Sequence, residues 1–252
     1  MKNELGVIGR GIQYSLSPEI HKHFAEQFKM NINYEIYDIK DNPSSFVKNF
    51  FDEGGLGLNI TKPYKEEIAQ KVFNTDEAVN CIYEKGKKAT STDGSGFLND
   101  LLSKNIDIAN KKILIYGLGG AGKSIANSMQ GAEKLFIAGR NNEKSKELIN
   151  QSDKYLEYDG SELDMLVSCT TQLDLNTIKD FEHFKLTKEA ILYDINYSNQ
   201  TNVIFSELQL VKENNLINGI GMLVEQAAKS FSLWFGEMPE TYIIKGILNE
   251  RL

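Results

Sequence analysis

The sequence predicts an α/β protein built of two domains. Short runs of β-branched residues alternate with longer amphipathic stretches along the whole chain, a pattern typical of parallel sheets covered by helices. The chain has 252 residues, enough for two modest domains that each bury a hydrophobic core. A glycine-rich loop at 117–122 follows an apolar run and precedes an amphipathic stretch, which indicates a βαβ unit in the second domain.

The first domain is predicted to be an open, twisted, mostly parallel α/β sheet. Its strands are expected where apolar residues run or alternate, and its helices where they recur at helical spacing. Pro18 and Pro63 mark two helix starts, because proline is tolerated in the first turn. The predicted strands are 5–9, 33–39 and 57–61, and the predicted helices are 19–28, 46–51 and 64–73.

A domain boundary is predicted at the segment Asp93-Gly94-Ser95-Gly96, which a short helix at 97–103 follows. The final helix has apolar residues at helical spacing, so we expect it to pack back on the first domain. The expected domains are 1–98 plus 222–252, and 99–221. The predicted strands of the second domain are 113–116, 134–138, 163–168, 191–195 and 216–220, and the remaining helices are 122–129, 142–150 and 222–235.

Composition and charge exclude several classes of protein. A net charge of −7 disfavours a nucleic-acid partner, which is bound by Lys and Arg. The two cysteines, Cys81 and Cys169, are far apart and have no partners at metal-ligand spacing, so we expect no disulfide and no metal. The sequence has no signal-peptide pattern and no apolar run of about 18 residues. We therefore expect a cytoplasmic protein that is neither exported nor inserted in a membrane.

The glycine-rich loop has the spacing of a dinucleotide-binding turn. Gly117, Gly119 and Gly122 satisfy the pattern G-x-G-x-x-G, with Gly120 and Ala121 between them. The first glycine permits a tight turn, the second lets a pyrophosphate approach, and the third lets helix and strand pack closely. Free N–H groups at the helix N-terminus then bind phosphate. We predict a Rossmann-type dinucleotide-binding domain; the alternative is a glycine-rich turn that binds no ligand.

The segment after the next strand indicates which dinucleotide is bound. An acidic residue there would bind the ribose 2′-hydroxyl of NAD, and the sequence 138–144 has none directly after the strand. Arg140 and Lys144 instead lie where cations would bind a 2′-phosphate. We predict NADP as the cofactor; the alternative is that both side chains are ordinary solvated charges, and Glu143 weakens the positive field.

Three polar clusters lie near the ends of predicted strands, and ligands bind at the carboxyl ends of strands in open α/β sheets. We therefore expect them to converge on one crevice. The clusters are 15–18 (Ser-Leu-Ser-Pro), 59–65 (Asn-Ile-Thr-Lys-Pro-Tyr-Lys) and 91–94 (Ser-Thr-Asp-Gly).

With these clusters and the glycine loop, the sequence resembles the shikimate dehydrogenase family. The family pattern also has a late Gly-x-Gly-Met-Leu-x-x-Gln, which occurs here at 219–226. All five motifs occur in order over nearly the whole chain, with modest substitutions. The resemblance implies a reversible, NADPH-dependent reduction of 3-dehydroshikimate to shikimate in aromatic amino-acid biosynthesis. It implies a small-molecule substrate and a monomer or homodimer.

The resemblance also implies a set of site residues. Ser15 and Ser17 hold the substrate carboxylate, and Tyr197 closes that side. Lys65 and Asp93 form the catalytic pair. The residues that orient the ring hydroxyls are Asn59, Thr61, Asn80, Asp93 and Gln226, and Gly219 joins the cofactor-binding residues Gly117, Gly119, Gly120, Ala121, Gly122, Arg140 and Lys144.

The chemistry of hydride transfer supports the catalytic pair independently. Hydride addition to a ketone builds negative charge on its oxygen, and the Lys65 ammonium can stabilise that charge and supply the proton. The neighbouring carboxylate of Asp93 would fix the lysine and orient a substrate hydroxyl. Lys65 also lies in the first turn of a predicted helix, where the dipole is slightly unfavourable for a cation, and this small cost favours a functional role.

Structural alternatives exist for several of these residues. Ser17 is a favoured residue for capping the helix at 19–28, Asp93 before glycine is typical of a turn, and Gln226 borders an apolar stripe. His21, His23 and His183 have no ligand spacing, and we assign them no chemistry; His21 matches a family histidine and is expected to be packed or hydrogen-bonded.

The sequence departs from the family pattern at several positions. Gly11 replaces a proline, Tyr14 a histidine and Ser91 the first asparagine of Asn-Thr-Asp-Gly, so substrate affinity is expected to differ. Gly139 replaces an asparagine before Arg140 and removes one adenosine contact. The segments 169–173 and 197–199 also differ from the family pattern, so the geometry around the nicotinamide is expected to differ.

Two other functions remain open from the sequence. One is an NAD-using quinate or shikimate dehydrogenase of the same family, which the missing acidic residue after Ala138 disfavours. The other is a non-catalytic nucleotide-binding sensor, which the retained Lys65 and Asp93 disfavour.

Overall fold

The computed structural model describes residues 2–170, 175–197, 211–212 and 215–251. The chain divides into two compact units. Unit 1 comprises Met1–Phe97 and Leu223–Ile247, and unit 2 comprises Leu98–Met222 and Leu248–Leu252. Unit 1 is therefore assembled from two separate stretches of sequence.

Strands and helices alternate along most of the chain. Before residue 93 they are β1 (Asn3–Gly9), α1 (Ser17–Gln27), β2 (Ile32–Asp38), α2 (Pro43–Asp52), β3 (Gly57–Ile60), α3 (Lys65–Phe73), β4 (Cys81–Tyr83) and β5 (Lys88–Thr90). They continue as α4 (Asp93–Ser103), β6 (Lys112–Tyr116), α5 (Gly120–Ser128), β7 (Lys134–Ala138), α6 (Asn142–Gln151), β8 (Leu163–Ser168), α7 (Leu175–Phe181) and β9 (Leu186–Asp194). The last described elements are β10 (Leu216–Ile217), α8 (Ile220–Phe235) and α9 (Tyr242–Asn249).

Unit 1 contains a five-stranded sheet in the order β2-β1-β3-β4-β5. β1 pairs in parallel with β2 and β3, whereas β4 and β5 add an antiparallel hairpin beside β3. The carboxyl ends of the three parallel strands lie at one edge, where Gly9 is opposite Asp38 and Ile8 is opposite Ile60. The turns that carry two of the polar clusters begin at this edge.

Helix α8 contributes to the core of unit 1 from Leu223 onwards. Phe231 is fully buried and packs on Phe24 of α1. The indole N–H of Trp234 donates to the Ile82 carbonyl at 2.9 Å, and a Cβ added at Gly57 would overlap the indole ring. The close contact between β3 and Trp234 therefore requires glycine at position 57.

Unit 2 contains a five-stranded sheet in the order β10-β9-β8-β6-β7, with every pair parallel. Central strands such as β6 and β8 are almost wholly buried, since helices cover a parallel sheet on both faces. The prediction of an α/β fold with a Rossmann-type sheet is confirmed. No helix of the described residues is long and apolar enough to cross a membrane, and these residues contain no His, Cys, Asp and Glu cluster suited to a metal.

The structure adds elements that the sequence did not predict. The strands of the β4–β5 hairpin have three residues each and are joined by a charged turn, too short for a periodic signal. Helix α4 begins at Asp93, not at Phe97, because Asp93, Gly94 and Ser95 resemble a turn in sequence. Helices α7 and α9 were also not predicted, and the strand expected at 216–220 is limited to Leu216–Ile217.

His21 lies fully buried in unit 1, in a cage of aromatic rings. Its ring stacks on Tyr34 with centroids 4.4 Å apart and lies 5.1 Å from the Trp234 ring. Neither ring nitrogen has a hydrogen-bond partner. Burial lowers the pKa of His21 from 6.5 to about 3, and nearby Asn59 acts in the opposite direction. His21 is therefore a neutral residue packed among aromatic rings, as expected for a packed histidine.

We expect the free energy of unfolding to depend on pH through His21. Between its folded pKa of about 3 and the ordinary value of 6.5, the unfolded chain binds a proton that the folded chain does not. The stability due to neutral His21 is thus complete above pH 6.5 and is lost as the pH falls towards 3, with a slope of about 1.4 kcal/mol per pH unit.

Urea denaturation at several pH values in this range measures the slope. In His21→Phe the dependence of the free energy of unfolding on pH should be weaker than in wild type by about 1.4 kcal/mol per pH unit, the contribution of one proton. Parallel curves for wild type and His21→Phe would contradict this assignment.

Candidate functional site

Lys65 and Asp93 form an ion pair in unit 1. Lys65 is the first residue of α3, after the turn that follows β3, and Asp93 is the first residue of α4. The Lys65 Nζ atom lies 2.6 Å from Asp93 Oδ2, and the side chains are only 18% and 6% exposed. The ammonium donates to no second acceptor among the described residues, so two of its three N–H groups remain available.

Asn80 holds the other oxygen of Asp93. Its Nδ2 donates to Asp93 Oδ1 at 2.8 Å and to Gln226 Oε1 at 3.2 Å. Its Oδ1 accepts the Thr92 N–H at 2.7 Å and the Thr92 hydroxyl at 3.1 Å. Because Asn80 is 2% exposed and all its hydrogen-bonding capacity is used within the protein, it orients Asp93 and Gln226.

Asn59 on β3 belongs to the same network. Its Oδ1 accepts the Tyr34 hydroxyl at 2.8 Å, and its Nδ2 donates to the Asn80 carbonyl and the Ser230 hydroxyl, each at 3.0 Å. Burial raises the pKa of Tyr34 well above its usual value, so the hydroxyl remains a donor. One lone pair of Asn59 Oδ1 is left to accept from a ligand hydroxyl.

Gln226 also belongs to this network, and Thr61 lies two residues after Asn59 in the chain. Gln226 on α8 donates one N–H to the Leu223 carbonyl at 2.9 Å, which leaves the second free. A Cβ added at Gly96 would lie 2.7 Å from the Gln226 Cβ, so the glycine lets α4 approach α8. Thr61 follows β3 directly and donates its N–H to the Ile8 carbonyl at 2.9 Å.

Ser15 and Ser17 lie in the loop between β1 and the first turn of α1. Ser17 is 8% exposed, and its N–H donates to Ser15 Oγ at 3.3 Å. The helix begins at Ser17 itself, Leu16 is the cap residue, and no side chain caps the helix. The alternative that Ser17 serves as the helix cap is therefore wrong.

Asp38 supports this serine loop and was not recognised in the sequence. Its carboxylate accepts the N–H of Gly11 at 2.8 Å and that of Ile12 at 3.2 Å. Ile12 in turn accepts the N–H of Ser15 at 2.9 Å. Gly11 has φ = +65°, a conformation open to glycine but closed to the proline of the family pattern. The only sequence signal was the position of Asp38 at the end of a strand.

In unit 2, each glycine of the loop after β6 has a distinct environment. Gly117 has φ = +102°, and a Cβ at Gly122 would overlap the Gly117 carbonyl oxygen. A Cβ at Gly119 would meet no protein atom within 4 Å. Gly120 and Ala121 form the first turn of α5. The turn and close packing therefore require Gly117 and Gly122, and Gly119 leaves open space for a ligand to approach.

The residues after β7 surround the start of α6. Asn141 caps this helix: its Oδ1 accepts the N–H of Glu143 at 3.1 Å and that of Lys144 at 3.3 Å. Arg140 and Lys144 are exposed. A Cβ at Gly139 would lie 3.6 Å from Gly117 N, an ordinary contact, so the backbone does not require glycine there. The capping role of Asn141 was missed, although asparagine is a favoured cap.

Gly219 and Tyr197 also belong to unit 2. A Cβ at Gly219 would overlap the Ile195 carbonyl, and its N–H donates to the Asn196 carbonyl at 2.9 Å. Gly219 thus permits close backbone approach after β9. Tyr197 is half-buried. Residues 171–173 and 198–199, where the sequence departs from the family pattern, lie outside the described residues.

The structure thus joins five of the expected substrate residues into one hydrogen-bonded network: Asn59, Lys65, Asn80, Asp93 and Gln226. Ser15 and Ser17 form a second pair in the same unit. The expected cofactor residues all belong to unit 2.

Comparison with known proteins agrees with this arrangement. A model described as the shikimate dehydrogenase substrate binding domain matches residues 7–82, and one described as the shikimate 5'-dehydrogenase C-terminal domain matches residues 219–244. A relative from Legionella pneumophila (strain Lens), named shikimate dehydrogenase (NADP(+)), is 32% identical over 258 residues, which covers 96% of each chain.

Two solved structures extend the comparison to the fold. An Ael1 enzyme from Pseudomonas putida is 28% identical, with a TM-score of 0.81 and 98% of both chains covered. A shikimate dehydrogenase in complex with NADP+ is 25% identical, with a TM-score of 0.79 and 99% of this chain and 96% of the other covered. The motifs, the fold and the full-length identity agree: the chain belongs to the shikimate dehydrogenase family.

Proposed function

We propose that this chain catalyses the reversible, NADPH-dependent reduction of 3-dehydroshikimate to shikimate, a step of aromatic amino-acid biosynthesis. The observation that carries this proposal is the ion pair between Lys65 and Asp93, 2.6 Å apart and largely buried, with free N–H groups on the lysine. The full-length relative named shikimate dehydrogenase (NADP(+)) supports the same activity.

Lys65 is the proposed proton donor. The nicotinamide of NADPH, when bound, supplies the hydride. As negative charge develops on the substrate oxygen, the Lys65 ammonium donates a proton to it, and in the reverse direction the amine accepts that proton. Asp93 holds the ammonium in place and accepts a hydrogen bond from a neighbouring substrate hydroxyl.

The unused hydrogen-bonding groups of the network suit a polyhydroxylated ring. Lys65 keeps two donors, Gln226 keeps one, and Asn59 keeps one acceptor position. Mixed donors and acceptors can bind several ring hydroxyls, each of which donates and accepts. We propose that Thr61 adds a further contact and that Ser15 and Ser17 donate to the substrate carboxylate, with Tyr197 beside it.

The glycine loop fits NADP. Gly119 leaves open space before α5, and the first N–H groups of α5 lack intrahelical partners, so both favour a pyrophosphate. We propose that residues 99–221 bind NADP, with Arg140 and Lys144 at its 2′-phosphate and Gly219 near the cofactor. Residues 1–98 and 222–252 are then the substrate domain. We further propose that the enzyme acts in the cytoplasm as a monomer or homodimer.

Initial rates with purified protein test the proposed function and the cofactor together. Nicotinamide absorbance is followed with shikimate or quinate, each against NADP+ and NAD+. We expect the highest kcat/KM with shikimate and NADP+. Arg140→Ala should raise the KM for NADP+ about tenfold or more and leave that for NAD+ unchanged, because a charge-assisted contact contributes about 1.5–3 kcal/mol.

Lys146, an exposed lysine of helix α6, which begins two residues after Arg140, provides the control: Lys146→Ala should resemble wild type. A preference for quinate or NAD+ would replace the proposal with the related dehydrogenase activity. Cofactor binding without turnover of either substrate would indicate a sensor.

Replacing Lys65 tests the proton donor. Lys65→Ala should lower kcat by about 10²–10⁴-fold without changing the Kd for NADP+, since its contacts lie within the substrate network. Lys71→Ala, on the same helix with a side chain 65% exposed, is the control and should keep the wild-type kcat. Near-normal turnover by Lys65→Ala would rule out this mechanism.

Two glycine substitutions separate binding from folding in the loop. Gly119 has an extended backbone with φ = −75°, which alanine adopts readily, so Gly119→Ala should keep the wild-type Tm but weaken NADP+ binding about tenfold or more. Gly122→Ala would force its Cβ against the Gly117 carbonyl and should lower the free energy of unfolding by about 2 kcal/mol or more. Thermal unfolding with and without NADP+ measures both effects, and equal Tm values for the two variants would contradict this division.

A further inference from the structure

Ser230 is a buried polar residue of α8 to which the family resemblance assigns no role. It is 0% exposed and lies one turn after Gln226, in a helix whose buried positions are otherwise mostly apolar. Its hydroxyl donates to the Gln226 carbonyl at 3.0 Å. A serine hydroxyl within a helix often donates to the backbone carbonyl four residues earlier, so this hydrogen bond alone indicates no function.

The Ser230 hydroxyl also contacts two residues of the buried network around Asp93. Its oxygen accepts the Asn59 Nδ2–H at 3.0 Å, and the Thr92 hydroxyl lies 3.4 Å away. One oxygen atom therefore connects β3, the segment between β5 and α4, and the turn of α8 that carries Gln226. The Ser230 hydroxyl thus donates to Gln226 and accepts from Asn59. The single Thr92 proton is donated to Asn80, so the 3.4 Å approach of Thr92 is a contact and adds no hydrogen bond.

Asn59 depends on this contact for its orientation. One of its N–H groups donates to the Asn80 carbonyl, and the other has Ser230 as its acceptor. Without the Ser230 oxygen, a buried N–H would lose its partner, at a cost of about 1–3 kcal/mol. Rotation of the carboxamide towards another acceptor would relieve this cost and turn away the Asn59 oxygen, which accepts from Tyr34.

We propose that Ser230 is a positioning residue that fixes the Asn59 carboxamide and the turn of α8 at Gln226 for binding of the substrate ring. This inference rests on the proposed function and deepens it, because it concerns the same site. Ser230 contacts neither substrate nor cofactor; it acts through Asn59. Its removal raises the KM for shikimate and leaves cofactor binding intact.

The test compares Ser230→Ala with Ser232→Ala, a partly exposed serine of the same helix. Alanine favours helix, so both variants should fold. Ser230→Ala should raise the KM for shikimate about tenfold, which corresponds to about 1.4 kcal/mol, with kcat and the KM for NADP+ within about twofold of wild type. Ser232→Ala should match wild type in all three constants.

A double-mutant cycle distinguishes positioning from a general loss of stability. If Ser230 acts through Asn59, then Ser230→Ala should change the shikimate KM by less than about twofold in an Asn59→Ala background. An unchanged tenfold effect in that background would overturn the proposal. The proposal would also be overturned if Ser230→Ala alone had a lower Tm than wild type but the wild-type KM for shikimate.

The wild-type control separates the two proposals. If wild type does not oxidise shikimate, the proposed function itself fails. If wild type is active and Ser230→Ala equals Ser232→Ala, only the positioning role of Ser230 fails.

Discussion

The geometry of the network around Lys65 and Asp93 depends on how the Asp93 carboxylate is held. Lys65 donates to one of its oxygens and Asn80 to the other, so the carboxylate has a fixed plane and a fixed distance from the ammonium. Each contact is charge-assisted, which makes it roughly twice as strong as a neutral hydrogen bond. A carboxylate held by one partner alone could rotate, and the free N–H groups of Lys65 would then have no defined direction.

Burial of the network favours this one pattern of hydrogen bonds over others. Asn80 is 2% exposed and Asn59 is 6% exposed, so each unpaired amide group would carry a desolvation cost. The described contacts satisfy both carboxamides except for one lone pair of the Asn59 oxygen. Since the donors and acceptors within the protein fix the network, the unused hydrogen-bonding groups of Lys65, Gln226 and Asn59 have fixed positions.

The sequence predicts five residues of this network but not the way they connect. Asn80 and Thr92 flank the β4–β5 hairpin, which brings the Asn80 N–H to the Thr90 carbonyl at 3.0 Å and so places Thr92 against the Asn80 side chain. The hairpin strands are too short for a periodic signal. The glycine loop was more predictable, because its spacing follows from local backbone geometry, as Gly117 and Gly122 illustrate. Tyr34 and Ser230 join the network through tertiary packing alone, for which one sequence carries no local signal.

The serine loop illustrates how the chain departs from the family pattern without losing its support. A proline at position 11 would restrict φ to about −65° and would lack an N–H, whereas Gly11 has φ = +65° and donates to Asp38. Glycine costs more conformational entropy on folding than proline. The two hydrogen bonds from Gly11 and Ile12 to Asp38 offset part of that cost. The loop that carries Ser15 and Ser17 is therefore fixed by contacts with the end of β2, in place of the stiffness of a proline ring.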